Sequence, residues 1–372
     1  MSMRILMLRP PADVRGPLPK LMPPLIAGLE ELGASVTSEA WGGHRPDESI
    51  PTKILGRLRD IGRVRRILRR ERFDVMVVAT AHDWFTLLRD NGLLLVTRHR
   101  VRAVVQFHGS KSERLNEAGS RLFKRASARL LELSAGALVL SSEEQREWQA
   151  FCPSRPISVV SNPFVPPPAS ADVDEPWAHA PPAHRPVVLF VGRLLREKGI
   201  HVVVHALARV LRTTPAHLLV VGDGPERDAA RALAARLGIE KSVTFTGYLS
   251  GRGLENAYRA GTVFVLPTTY PEGFPTVITE AMHAGLPIVT TSRRGIADHL
   301  SDGINALFVP PEDPDAVAAA LGRLLADPAL RERMQRANRQ KIEEFRPRAV
   351  AERYLTVLRQ MIGDGSRWQR PR

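Results

Sequence analysis

Two parallel, doubly wound α/β domains are predicted for this chain of 372 residues. Three observations predict them. Short apolar runs rich in β-branched residues alternate with longer segments of helical periodicity, as parallel strands covered by helices require. The alternation runs twice, and residues 163–186, rich in proline, alanine and acidic residues, lie between the two series. The length also exceeds what one compact core usually holds.

In the first series the strands fall at residues 4–8, 35–38, 75–79, 103–107, 137–140 and 157–160, with helices over 21–32 and 121–133 among the segments between them. The opening run 3–8 is too short for a signal-peptide core and stops at Pro10 and Pro11, so it reads as a first buried strand. In the second series strands fall at 187–191, 217–221, 243–246, 263–267, 287–290 and 306–309. Helices are expected over 201–212, 228–237, 254–260, 275–284 and 315–325. The first domain is expected over 1–165, a linker over 166–186 and the second domain over 187–346. A last helix, roughly 347–365, is expected to pack back on the first domain. Doubly wound sheets open their ligand crevices at the carboxyl ends of the strands. Two such domains facing each other would join those crevices in one interdomain cleft, a donor on one wall and an acceptor on the other.

Composition excludes several classes. Hydrophobic residues make up 44% and charged residues 25%, the balance of a soluble globular chain. The single cysteine, Cys152, rules out a disulfide framework or a multi-cysteine metal site and fits a reducing compartment. In Phe151-Cys152-Pro153 it reads as part of an apolar turn rather than a nucleophile. No apolar run approaches the ~20 residues needed to span a bilayer. The protein is therefore expected in the cytoplasm. A net charge of +14 attracts phosphates, whether on a nucleotide, a nucleic acid or an anionic lipid.

Three motifs carry chemistry. In the stretch from Phe190 to Gly199 a strand ends at Gly192 and two cations, Arg193 and Lys198, follow on a short loop. Arg193 can hold phosphate oxygens bidentately, and Lys198 adds a compact charge. Val221-Gly222-Asp223-Gly224-Pro225-Glu226 is a strand-to-helix turn whose glycines permit close backbone approach to a ligand. The strongest motif runs from Pro271 to Met282. A strand leads into a loop with Glu272 and Gly273, Phe274 follows, and Pro275 and Thr276 open a helix whose free amides form an anion site. Glu280 lies one turn beyond Thr276 on the same face. Two carboxylates beside an anion site make sense if they accept hydrogen bonds, and sugar hydroxyls are suitable donors. Alternatively, Glu280 satisfies neighbouring backbone groups.

With these motifs in order, residues 186–345 resemble the donor-binding domain of the GT-B glycosyltransferases of family 4. The matching pieces are Gly192-Arg193 with Glu197-Lys198-Gly199, Gly222-Asp223-Gly224-Pro225, and Glu272 and Glu280 with seven residues between them. Phe308 to Asp313 fits the family's late strand and loop. The resemblance implies two facing Rossmann-like domains and transfer of a hexose-type sugar from a nucleoside-diphosphate sugar with retention and without a bound metal or other cofactor. It implies that Arg193 and Lys198 hold the donor diphosphate, that Glu280 binds the ribose hydroxyls, and that Glu272 and the backbone from Gly273 to Thr276 hold the transferred sugar. It further implies a glycan, lipid-linked or small-molecule acceptor, as in cell-surface polysaccharide synthesis. The first half resembles the family's acceptor domain more loosely. There the family places a sugar-contacting histidine where this chain has His108, before Gly109. His82 and Asp83, also past a strand, would line the acceptor side.

Two departures stand out. After the first strand the family has a double glycine approaching the donor, and this chain offers Gly16 alone. Near the late donor loop paired glycines and a glutamate are replaced by Arg294-Gly295-Ile296-Ala297-Asp298. A further signal lies outside the motifs. In residues 53–72 the side chains Leu55, Leu58, Ile61, Val64 and Leu68 form a helical stripe. Nine cations from Lys53 to Arg72, set against Asp60 and Glu71, leave a formal +7 there. Such a helix either lies on anionic lipid at the membrane's inner face or packs on the first sheet. If it packs, any membrane attachment would be mostly electrostatic.

Rival readings are a sugar-nucleotide epimerase or hydrolase on the same architecture, and a non-catalytic binding protein that kept the fold. A nicotinamide dehydrogenase is disfavoured because GxGxxG is missing after the first strand. Nucleic-acid binding has no aromatic-basic module behind it.

Overall fold

The computed structural model describes residues 2–11, 18–42, 50–110, 112, 115, 120–166, 180–182, 184–271 and 273–363, with backbone alone for 50–54. The chain divides into two compact units. Unit 1 takes Met1–Pro163 together with Phe345–Arg372, and unit 2 takes Phe164–Glu344.

Unit 1 holds a six-stranded sheet of β1 Arg4–Arg9, β2 Ser35–Ala40, β3 Val75–Thr80, β4 Arg102–Phe107, β5 Gly136–Val139 and β6 Ile157–Val159. Its order is β2-β1-β3-β4-β5-β6, and every pairing is parallel. Strand β3, VMVVAT, is buried along its whole length because both faces are covered. Strand β2, SVTSEA, lies at the sheet edge and is half-buried, which its polar sequence tolerates. The described helices are α1 Leu18–Glu31, α2 Ile50–Arg70, α3 Trp84–Thr97, α4 Arg121–Glu132 and α5 Ser142–Phe151.

Side chains alternate across the strands and so build two cores. Leu6, Leu8, Met76, Val78 and Val105 point to a face covered by Val64 and Leu68 of α2, Leu87 of α3 and Leu130 of α4. Ile5, Met7, Val75, Val77 and Val104 point to the other face, which α1 covers with Met22, Leu25 and Leu29.

Unit 2 repeats the plan with β7 Val187–Val191, β8 His217–Val221, β9 Val243–Gly247, β10 Val263–Leu266, β11 Ile288–Thr290 and β12 Ala306–Phe308. The order is β12-β11-β10-β7-β8-β9, all parallel. Its helices are α6 Ile200–Val210, α7 Arg227–Arg236, α8 Gly251–Ala260, α9 Thr276–His283, α10 Gly295–His299, α11 Pro314–Ala326 and α12 Pro328–Lys341. The strand expected over 263–267 ends at Leu266, since Pro267 has no amide to donate to the ladder. From β7 the chain winds one way across the sheet, and from β10 it winds the other. The topological switch point therefore lies between β7 and β10, and doubly wound sheets bind their ligands at the loops that leave the two strands beside it.

The chain then returns to unit 1 as α13 Pro347–Ile362. This helix lays Val350, Ala351, Tyr354, Leu355 and Leu358 against the same core as α1. The Tyr354 hydroxyl donates to Oε1 of Gln106 on β4 at 2.7 Å, satisfying two buried polar groups together.

Candidate active site

The two strongest motifs fall on the two loops that flank the switch point of unit 2. After β7, Gly192 turns the chain and a 3-10 turn follows at Arg196–Lys198. Arg193 is exposed and has no acidic partner among the described residues. Lys198 is buried, and its Nζ lies 5.0 Å from the Tyr270 ring centre, so the β7 loop leans on the β10 loop through a cation–π contact. The Glu197 carbonyl fastens the same pair of loops. It accepts from the Thr269 amide at 2.7 Å and the Thr268 hydroxyl at 3.1 Å. Gly199, at φ 78°, allows the approach, because a Cβ there would sit 2.7 Å from the Pro267 carbonyl oxygen.

The β10 loop runs into α9. Pro275 is the N-cap residue, one position earlier than the helix start expected for it, and no side chain caps this end. The first amides of α9 therefore remain for a ligand or solvent. Gly273 and Pro275 are buried, and the Phe274 ring stands 4.8 Å from that of His299. Glu280, half-buried on α9, accepts a hydrogen bond from the Tyr258 hydroxyl at 2.7 Å. The same hydroxyl reaches the Val277 carbonyl at 3.2 Å. Burial, reinforced by the charge and hydrogen bond of Glu280, holds the Tyr258 phenol well above its ordinary pKa, so it is a donor at any physiological pH. Glu280 is thus held by a side chain from α8. Sequence reasoning missed Tyr258, which reads as an ordinary core aromatic of α8.

The glycines of the β8 turn press on backbone of the β7 loop. At φ 131°, a Cβ on Gly222 would lie 2.0 Å from the Gly192 carbonyl oxygen. At φ 158°, one on Gly224 would lie 2.4 Å from that of Leu194. The close approach they permit is to the β7 loop, and it is sealed by Leu194 N to Asp223 O at 2.9 Å and Glu226 N to Leu194 O at 3.0 Å. Arg294, where the family has a glycine, is buried and holds φ 44°, a backbone region that favours glycine.

In unit 1, His108 follows β4 directly, with its amide bonded to the Thr80 carbonyl at 3.3 Å. Both ring nitrogens are buried and make no hydrogen bond among the described residues, and burial pushes the imidazole down to a pKa of about 4. The ring is neutral near pH 7. His82 and Asp83 are structural instead of lining an acceptor site. His82 packs against the rings of Phe107, Phe123 and Trp148 and bonds Ser127 at 2.9 Å. Asp83 caps α3 through the Thr86 amide. Cys152 is buried at the end of α5, beside Ser154. Gly16 and Glu272 lie outside the described residues.

Two six-stranded parallel sheets, one with basic residues and a helix start at its switch point, define a two-domain α/β protein of the kind that binds phosphorylated ligands. The family model described as "Glycosyl transferases group 1" matches residues 173–341, and that described as "Glycosyltransferase Family 4" matches residues 30–166. The chain belongs to the GT-B glycosyltransferases of family 4. An uncharacterized glycosyltransferase of Methanocaldococcus jannaschii is 36% identical over 39% of this chain and 37% of its own length. A lipopolysaccharide core biosynthesis glycosyltransferase of Rhizobium meliloti is 33% identical over 48% of this chain and 51% of its own. The chain thus spans between 37% and 51% of these relatives' length. The structure of HepE from Anabaena in complex with UDP and glucose shares the fold, with a TM-score of 0.69 at 18% identity, covering 96% of this chain and all of that one.

Proposed function

We propose that this chain is a retaining glycosyltransferase that moves a hexose-type sugar from a nucleoside-diphosphate sugar to a glycan, lipid-linked or small-molecule acceptor. The observation that carries the reading is the convergence of Arg193, Lys198, the uncapped start of α9 and Glu280 on the loops around the unit 2 switch point. Arg193, Lys198 and the α9 amides supply positive charge where a diphosphate would leave, and fixed charge of this kind stabilises a departing anion. With that charge supplied by side chains and a helix end, the transfer needs no metal. Glu280, steadied by Tyr258, accepts the ribose hydroxyls. Glu272 and the Gly273–Thr276 backbone hold the sugar. The bond from the anomeric carbon to the diphosphate breaks with its electron pair on the diphosphate. The acceptor oxygen bonds that carbon, and its proton leaves with the diphosphate.

The UDP and glucose in the Anabaena structure favour a uridine donor, and the lipopolysaccharide relative favours a glycan on a lipid anchor. Among the described residues no helix is long and apolar enough to cross a membrane. A lipid-borne acceptor would be met at the cytoplasmic surface of the membrane.

A thermal-shift screen against nucleoside diphosphates and their sugar conjugates tests the reading. A ligand at 100 times its Kd adds about 2.7 kcal/mol to stability, so the matching nucleotide raises the unfolding temperature of the chain. If no nucleoside diphosphate shifts it, the donor assignment fails. If a conjugate is hydrolysed as fast without any acceptor as with one, the chain is a sugar-nucleotide hydrolase instead. Transfer that survives excess chelator supports the metal-free step, and its loss with rescue by magnesium overturns it.

A further inference from the structure

We propose that α2, α3 and α4 of unit 1 together form a docking surface for an anionic lipid membrane, with apolar side chains seated below the headgroups and arginines paired with them. The stripe on α2 divides between two tasks. Its C-terminal part, Val64 and Leu68 with Ile61 packed behind them, belongs to the unit 1 core. Its N-terminal part does not, for Leu55 is 51% and Leu58 61% exposed.

Neighbouring helices extend that exposed part. Phe85 and Leu88, one turn apart on α3, are 62% and 65% exposed, and Leu122 at the start of α4 is 65% exposed. The Arg57 guanidinium lies 5.2 Å from the Phe85 ring centre, and a Cβ on Gly92 would touch Ile61 at 3.6 Å, so α2 and α3 run side by side here. The Trp84 ring meets that of Phe123 at 5.4 Å and brings in α4. Single exposed apolar side chains are ordinary, but a joined group on three helices marks an interaction surface.

Charge decides the occupant. Arg63 is bound to Asp60 and Glu39. Arg59, Arg65, Arg66, Arg69 and Arg70 are exposed and have no acidic partner among the described residues. The core of a protein interface is depleted of charge. Apolar and aromatic side chains beside a line of unpaired cations complement an anionic interface, where the two contributions act together. The attachment is therefore not mostly electrostatic, as the stripe suggested if it packed whole against the sheet.

The test uses the full chain in co-sedimentation with vesicles of phosphatidylcholine alone or with phosphatidylglycerol. Binding is expected with the anionic vesicles only, weakening as salt rises. Phe85→Ser with Leu88→Ser is expected to lower vesicle affinity by about tenfold or more, and so is the set Arg65→Gln, Arg66→Gln, Arg69→Gln and Arg70→Gln. Leu55→Ser with Leu58→Ser supplies a second apolar variant should the first unfold. Trp84 fluorescence, assigned by Trp84→Phe, is expected to be quenched by brominated acyl chains. Absence of binding at low salt overturns the proposal, as does binding that ignores the apolar substitutions. Self-association that those substitutions abolish, with no vesicle binding, would make the surface an interface between copies. Nucleotide-induced thermal shifts stay unchanged in every variant, so failure here is separate from failure of the donor assignment.

Discussion

Glu280 and Tyr258 act as a pair. A tyrosine held protonated by burial gives one hydrogen bond to the Glu280 carboxylate. Glu280→Gln is expected to weaken nucleoside-diphosphate binding by roughly tenfold or more, the worth of hydrogen bonds to a charged group. Tyr258→Phe, which keeps the ring and removes only the donor, should cost about threefold to tenfold. Calorimetry with the free nucleotide checks both, and unchanged affinity in the two variants would leave Glu280 a purely structural residue. Arg193→Ala and Lys198→Ala should each lower turnover by roughly 10² or more, as losses of fixed charge at a leaving group do. His108 carries a pH signature. Its pKa falls from 6.5 in a free imidazole to about 4 in the fold. Above pH 6.5 both states are neutral; as pH falls toward 4 the unfolded chain binds a proton that the folded chain refuses. Stability present at neutral pH is thus lost across that window, by about 3 kcal/mol at 1.4 kcal/mol per unit. Urea unfolding of the wild type and of His108→Gln at pH 7 and pH 4.5 should show a shallower loss in the variant.

Loops and helices in this chain meet through glycines whose neighbours are backbone. Gly222 takes φ 131° under the Gly192 carbonyl. Gly222→Ala adds both a disfavoured dihedral and a clash, and it should destabilise unit 2 by about 1–3 kcal/mol. Gly28 on α1 is the unit 1 counterpart. A Cβ there would lie 2.6 Å from the Pro347 carbonyl oxygen at the start of α13, so Gly28→Ala should cost about 1–3 kcal/mol by overpacking. A lowered denaturant midpoint with an unchanged slope is the expected readout for each. Element boundaries have local causes, although the sequence reading put Asp83 on the acceptor side and Pro267 inside its strand. Asp83, Ser141, Asp313 and Asp327 are short polar side chains that cap helices, and Pro267 ends a strand by lacking an amide. The backbone against which a glycine presses belongs to another element, and spacing along one chain does not reveal it.

The chain enters unit 1, passes through unit 2 and closes unit 1 with its last described helix. Tyr354, Leu355 and Leu358 of α13 complete the core that α1 begins. Ending the chain at Glu344 would strip that face and expose a contiguous apolar surface. Such a truncation is expected to aggregate or to lose the unit 1 unfolding transition, and a soluble, cooperative product would contradict the packing.

Continuous apolar runs alternating with helical apolar patterns revealed both sheets, because burial on both faces leaves a continuous β-branched run. The same patterns placed Arg193 and Lys198 past the end of one strand and Thr276 at the helix start that follows another, where doubly wound topology puts ligands. Neighbours brought in by folding were not readable. Tyr258 reaches Glu280 from 22 positions away. His82 disappears among Phe107, Phe123 and Trp148 although its place past a strand looked functional. One stripe on α2 divides between core and surface according to which helices lie beside it. Local sequence sets which backbone conformation and which chemical groups a position offers. Which groups then meet depends on contacts between segments distant in the chain, and these exist only after the layers have packed.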